Sequence, residues 1–181
     1  KEIRNSSGIV DEVVEDLRDM NQEIIGKTEN ELADIIKEKM SEKGGEKPSF
    51  TPTASSGANG AKPHYSHGEK IIEEGEPVVL DFGCYQSHYP SDQTRTLVFC
   101  GDPSEKFKEV HNVVKDAQQA AVEKVEPGVQ AKEVDETARK IIQEAGYGEE
   151  FIHRTGHGVG LDLHETPFIN QENTRKLEEG M

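Results

Sequence analysis

Two carboxylates and a cluster of histidines are the residues here whose type and spacing could do chemistry. In VVLDFGCYQSHYPSDQTRTLVF, residues 78–99, an apolar run ends in Asp81, and a second acid, Asp92, opens the β-prone run Thr94 to Phe99. If the two runs pair antiparallel through the Gly83 to Pro90 connection, Asp81 and Asp92 meet at a half-buried position where like charges repel. A divalent metal ion is the usual answer, because hard oxygen ligands hold two ions close together in many hydrolases. The competing reading of this stretch alone is a hairpin with acids in its loop.

The second cluster lies in FIHRTGHGVGLDLHETPF, residues 151–168, where His153, His157 and His164 are interleaved with glycines. His153 and His157, four apart, would share a helix face as zinc-binding pairs do, but Gly156, Gly158 and Gly160 disfavour that helix. In extended chain, His157 and His164 have opposite parity and face opposite sides of a sheet. For both to reach one site a bulge or turn must intervene, which Gly158 or Gly160 can supply. A glycine-rich hairpin with purely structural histidines is the alternative. Two more histidines, His64 and His67, sit in the Pro, Gly, Ser and Asn-dense stretch Pro48 to Lys70. A loop that long is commonly functional, though nothing local separates a catalytic histidine there from a solvated one.

These groups need elements to hold them. Ile9, Val10, Val13, Val14, Leu17, Met20 and Ile24 form the stripe of an amphipathic helix, with Gly26 ending it. Thr28 and Glu31 make a capping-box pattern ahead of Leu32, Ile35, Ile36 and Met40, so a second helix starts there and Gly44-Gly45 stops it. A short strand fits Phe50 to Ser55. Ser104 caps a third helix whose stripe runs from Phe107 to Val125, and a fourth covers about Lys132 to Ala145 with Gly146 at its C-terminus. Pairs of helices alternating with hairpins give an α+β class, with helices on one face of an antiparallel sheet. The two halves share this element order, which points to a pseudo-symmetric repeat.

Composition removes several function classes. The net charge of -15 disfavours nucleic acid and anionic membranes as partners. No apolar segment approaches the roughly 20 residues that span a bilayer, and no signal peptide opens the chain. The mean hydropathy of -0.78 is polar, but the clear apolar periodicity argues for an acidic, folded surface over disorder. Cys84 and Cys100 do not make a secreted disulfide framework, so a reducing cytoplasm is expected.

The combination of blocks resembles the metallopeptidases of the pita-bread fold: Xaa-Pro dipeptidase (prolidase), aminopeptidase P and methionine aminopeptidase. D-F-G is followed, eleven residues after its Asp, by S-D-Q-T-R-T, and later by H-R-T-G-H-G-V-G-L-D-L-H-E, in the family's order and spacing. Arg95 in the first block looks like the Xaa-Pro branch; Leu163, where a β-branched residue is common, is a small departure. The resemblance implies a curved antiparallel sheet covered by helices, with residues 1–181 forming one catalytic domain that lacks its last strands and any N-terminal domain.

It also implies roles. Asp81, Asp92 and His157 become metal ligands, with Asp92 bridging two divalent ions, Mn²⁺ ahead of Co²⁺ or Zn²⁺. His64, in K-P-H-Y, becomes a proton-handling or substrate-orienting residue; His164 a hydrogen-bond partner of the substrate amide or carbonyl; His153 part of the pocket for the residue after the scissile bond. Thr94 and Arg95 stand behind the ligands. His67 and His111 match no functional position and read as surface residues. The implied reaction is hydrolysis of the bond between an N-terminal residue and proline by a metal-bridging hydroxide, in a cytoplasmic homodimer acting on short peptides with proline second. The family's last two ligands are glutamates on strands after an E-E-G-M turn, and the chain stops at Met181 within that turn. These residues alone are therefore expected to bind metal weakly, if at all, and to show no turnover. A creatinase-like hydrolase and a non-catalytic pita-bread module for peptide or protein binding are the alternatives; the retained Asp81, Asp92 and His157 weigh against both.

Overall fold

The structure, a computed structural model, describes residues 1–63 and 65–181. They fall into two compact units, one comprising Lys1–Ser104 with Gly160–Leu163 and the other Glu105–Val159 with His164–Met181.

The first unit begins with α1 (Glu2–Met20) and α2 (Glu29–Glu42). α1 ends six residues short of the expected stop at Gly26, because a 3₁₀ turn over Asn21–Glu23 leads to Gly26 at φ +86°. α2 is fixed at its start by a reciprocal capping box: the Glu31 N–H donates to Thr28 Oγ1 at 3.1 Å and the Thr28 N–H donates to Glu31 Oε2 at 2.7 Å. Then come β1 (Lys47–Pro48), β2 (Thr53–Ser56), a 3₁₀ turn over Gly57–Ala61, β3 (Pro77–Phe82), β4 (Cys84–Gln86), β5 (Tyr89–Pro90) and β6 (Gln93–Val98). They form two antiparallel ladders, β1-β4-β5 and β2-β3-β6.

The chain passes from one ladder to the other at Gly83. A Cβ there would stand 1.8 Å from the Ser91 carbonyl oxygen, so only glycine allows this approach. Ser87 and His88, at φ 50° and 71°, close the β4–β5 hairpin as its two-residue turn. Alternation along β3 sends Val78, Leu80 and Phe82 into the core with Val10, Val13, Leu17, Leu32 and Ile36, all of them fully buried. Val79 and Asp81 face the other way.

The second unit repeats this plan with α3 (Glu105–Lys124), α4 (Ala131–Glu144), β7 (Gly156–Gly158) and β8 (Glu165–Ile169). Its core joins Ala117 and Ala121 of α3 to Val134, Ala138 and Ile142 of α4 and to Leu177. Part of α3 stays outside, with Val114 and Val122 more than half exposed, as is Val125 just after the helix. The repeat extends to single hydrogen bonds. In the first unit the N–H of Gly26 donates to Ile72 O and that of Ile72 to Lys27 O; in the second, Gly128 donates to Leu177 O and Leu177 to Val129 O. Each pairing precedes an E-E-G turn whose glycine has positive φ, Gly75 and Gly180. Among the described residues no helix is long and apolar enough to cross a membrane.

Candidate metal and substrate site

Asp81 is held by its ladder. It lies on the central strand β3, with Thr53 of β2 opposite it on one side and Thr94 of β6 on the other. The Thr94 hydroxyl donates to Asp81 Oδ1 at 2.9 Å. Asp92 precedes Thr94 by two residues and lies just before β6 begins, next to the last pair of the ladder, Phe82 with Gln93. Both carboxylates are half-buried. The antiparallel pairing of the two runs expected from sequence is therefore present. Arg95, of opposite parity, turns to α1, where Nη2 donates to Asp11 Oδ1 at 3.0 Å and also to Gln93 Oε1 at 3.0 Å.

The face carrying Asp81 opens into a cleft. Its floor is Thr53, Ser55, Val79, Asp81 and Thr94, and its wall is the segment that includes Gly60, Ala61, Lys62, Pro63 and Tyr65. His64 lies outside the described residues. His67 is not the surface residue expected: it is half-buried, its Nδ1 is 2.6 Å from Asn30 Oδ1, and its Nε2 is buried with no hydrogen-bond partner among the described residues. His111 is exposed beside Phe107, as expected.

In the second unit the histidine segment solves the parity problem as the glycines suggest. His157 pairs with Phe168, but Gly158 pairs with Glu165, a register shift between adjacent residues. A Cβ at Gly158 would meet the carbonyl oxygens of Thr166 and Glu165 at 2.8 and 2.9 Å. Past this bulge the rings of His157 and His164 stand 4.3 Å apart, centroid to centroid. Gly158 O lies 3.0 Å from His157 Nδ1; a carbonyl only accepts, so Nδ1 is the donor in this contact. His153 is exposed at the edge of a polar cleft with Arg139, Arg154 and Glu172.

Sequence reasoning passed over two buried acids. Glu29, at the start of α2, accepts hydrogen bonds from Ser56, Asn59, Tyr65 and Gly68. Asp135, in α4, accepts from the Thr155 N–H at 3.2 Å and hydroxyl at 2.7 Å and pairs with Arg139, whose Nε is 2.9 Å away. Arg139 in turn donates to the carbonyls of Phe151 and His153 at 2.8 and 3.1 Å, fixing the approach to β7. The available signal was periodicity: Asp135, Ala138, Arg139 and Ile142 fall on one helical stripe. Cys84 and Cys100 are free thiols; Cys84 is buried, and burial raises its pKa.

The model of metallopeptidase family M24 matches residues 1–181. An Xaa-Pro dipeptidase of Pyrococcus furiosus is 48% identical over 156 residues, which cover 86% of this chain and 44% of that protein. The solved prolidase from Pyrococcus furiosus aligns at 44% identity with a TM-score of 0.92, over 99% of this chain and 52% of that one. An X-Pro aminopeptidase from Thermotoga maritima aligns at 38% identity with a TM-score of 0.87, over 98% and 49%. The chain thus spans about half the length of these relatives, and its architecture is that of their pita-bread fold.

Proposed function

The chain belongs to metallopeptidase family M24, and from that premise we propose that it takes part in metal-dependent hydrolysis of the peptide bond between an N-terminal residue and proline. The reading is carried by Asp81 on the β3–β6 ladder, with Thr94 bonded to it and Asp92 two residues before Thr94, where strand alternation would turn it to the same face. Two half-buried carboxylates so placed suit a hard divalent cation. His157, donating from Nδ1 to the Gly158 carbonyl, leaves Nε2 to serve as the ligand atom, as in ligating histidines.

Asp81, Asp92 and His157 are accordingly the residues that would hold two divalent ions, Mn²⁺ ahead of Co²⁺ or Zn²⁺. Bound there, such ions supply Lewis acidity toward water and the scissile carbonyl. The remaining work falls to the chain. Thr94 orients Asp81, and the Gly158 carbonyl orients the His157 ring. His164 hydrogen-bonds the substrate amide or carbonyl, and His153 lines the pocket for the residue after the scissile bond. His64 handles a proton or orients substrate, a role supported by its motif alone. Substrates are short peptides with proline second, including the dipeptides cleaved by the named relatives. Residues 1–181 act as one catalytic domain of a homodimer, and two free thiols favour a cytoplasmic setting.

The test is metal analysis of the protein at its natural full length, together with a panel of Xaa-Pro dipeptides and Xaa-Pro-Xaa tripeptides. Stoichiometric divalent metal and Xaa-Pro cleavage, both lost in Asp92→Asn, are expected. Cleavage that survives chelation and Asp92→Asn would overturn the reading.

A further inference from the structure

Glu29 sits at the first position of α2 with no exposed surface. An acid there normally needs only the helix N-terminus and water; this one has been taken out of water and given donors instead. Oε1 accepts from the Ser56 N–H at 2.7 Å, the Ser56 hydroxyl at 3.0 Å and Asn59 Nδ2 at 3.0 Å. Oε2 accepts from the Tyr65 hydroxyl at 3.0 Å and the Gly68 N–H at 3.2 Å. Asn59 Nδ2 also donates to the Tyr65 hydroxyl at 2.9 Å, tying the two sets together.

The placement of these partners gives the network its meaning. Ser56 is the last residue of β2 and Gly68 lies where the chain returns to α2, so the two oxygens of one carboxylate clasp both feet of the intervening segment. Asn59 and Tyr65 lie within that segment, and Gly60 to Pro63 with Tyr65 form the wall of the cleft whose floor holds Asp81 and Thr94. Glu29 itself is not among the cleft-lining residues. A buried charge with five hydrogen bonds also resists rearrangement, since loss of any donor leaves the carboxylate poorly compensated.

We propose that Glu29 is a positioning residue for the reaction: its carboxylate fixes the wall formed by Gly60 to Pro63 and Tyr65 at the Asp81 cleft, and through that wall sets the alignment of substrate. The proposal rests on the reading of the Asp81 cleft as a peptidase site. Glutamine is the discriminating substitution. Its Oε1 can keep the Ser56 side, but its amide nitrogen then faces the Gly68 N–H, donor against donor, so the downstream foot is released while α2 and β2 stay joined.

The experiment compares the wild type, Glu29→Gln and Tyr65→Phe in the protein at its natural full length, with hydrogen exchange by mass spectrometry, Mn²⁺ titration and steady-state kinetics on an Xaa-Pro dipeptide. For Glu29→Gln, exchange over residues 57–68 rises about tenfold or more while α1 and β3 stay protected. The kcat falls about 100-fold, the effect expected of roughly 1 Å misplacement. Mn²⁺ stoichiometry is unchanged, whereas a merely structural defect would lower it along with the folded fraction. Tyr65→Phe, which removes one bond without touching α2, shifts exchange and kcat the same way by less. Unchanged exchange over 57–68 in Glu29→Gln overturns the proposal, as does faster exchange with wild-type kcat. If the wild type itself cleaves no Xaa-Pro peptide, the peptidase reading fails and Glu29 loses its catalytic consequence, while the exchange measurement still decides whether it clasps the wall.

Discussion

The hydroxyl of Thr94 donates to Asp81 Oδ1 at 2.9 Å across the β3–β6 ladder, two residues after Asp92. One strand of the ladder thus presents a carboxylate and the next the group that orients it. Removing the hydroxyl with Thr94→Val keeps the β-branched shape and strand propensity while deleting this bond to Asp81. A partner of this kind is worth about 10–100-fold in metal affinity. Calorimetric titration of Mn²⁺ into wild type and Thr94→Val should show that loss with little change in thermal stability; equal affinities would mean that Thr94 does not orient Asp81.

The bulge at Gly158 makes a second prediction. A methyl group there would collide with two backbone carbonyls, at 2.8 and 2.9 Å, and backbone cannot move aside as a flexible side chain can. Gly158→Ala should therefore cost about 1–3 kcal/mol by overpacking, and should separate the His157 and His164 rings. Urea unfolding and imidazole NMR shifts report the two effects. Wild-type values of both would show that the register shift does not depend on glycine.

Asp135 and Arg139 make a buried pair, with the Asp135 side chain fully buried and that of Arg139 12% exposed. Asp135→Asn breaks the pair from one side and turns a donor toward Thr155 or Arg139. The expected loss is about 3–5 kcal/mol, with faster exchange of the Thr155 amide as its local signature. A loss below about 1 kcal/mol, the range of exposed pairs, would show that the charge is not needed.

How far the sequence disclosed this site depended on the range of each interaction. The acids at 81 and 92 were legible because strand alternation and spacing are local, and the need for a bulge near Gly158 followed from the parity of His157 and His164. The Thr28–Glu31 box was legible for the same reason. Glu29 was not. In sequence it is one more acid in the first turn of a helix, favoured there by the dipole, and its burial depends on Ser56, Asn59, Tyr65 and Gly68 closing over it from far along the chain. His67 misled likewise, because its partner Asn30 also belongs to α2. Asp135 plays in the second unit the part Glu29 plays in the first. Each buried acid on the second helix of its unit takes both the N–H and the hydroxyl of one residue, Thr155 or Ser56, just before a segment assigned a functional role.

Protonation offers a test of the Glu29 clasp that needs no substrate. Burial pushes this carboxyl up, but the donors from Asn59, Ser56 and Tyr65 outweigh it, and the net effect holds the group below its ordinary value of 4.5. A carboxyl lowered in the folded state contributes stability that is complete above the unfolded value and is lost as pH falls through the folded one. Tyr65, the titratable group among its described partners, has its own pKa raised by burial and by Glu29, so it stays neutral throughout the acid range. Glu29→Gln has nothing to titrate there. The stability difference between wild type and Glu29→Gln, measured by urea unfolding from about pH 7 to about pH 3, should be flat above the ordinary carboxylate value and shrink steadily below it. A difference that stays constant to the acid end, or widens, would mean that the charge on Glu29 does not hold the Ser56 to Gly68 segment in place.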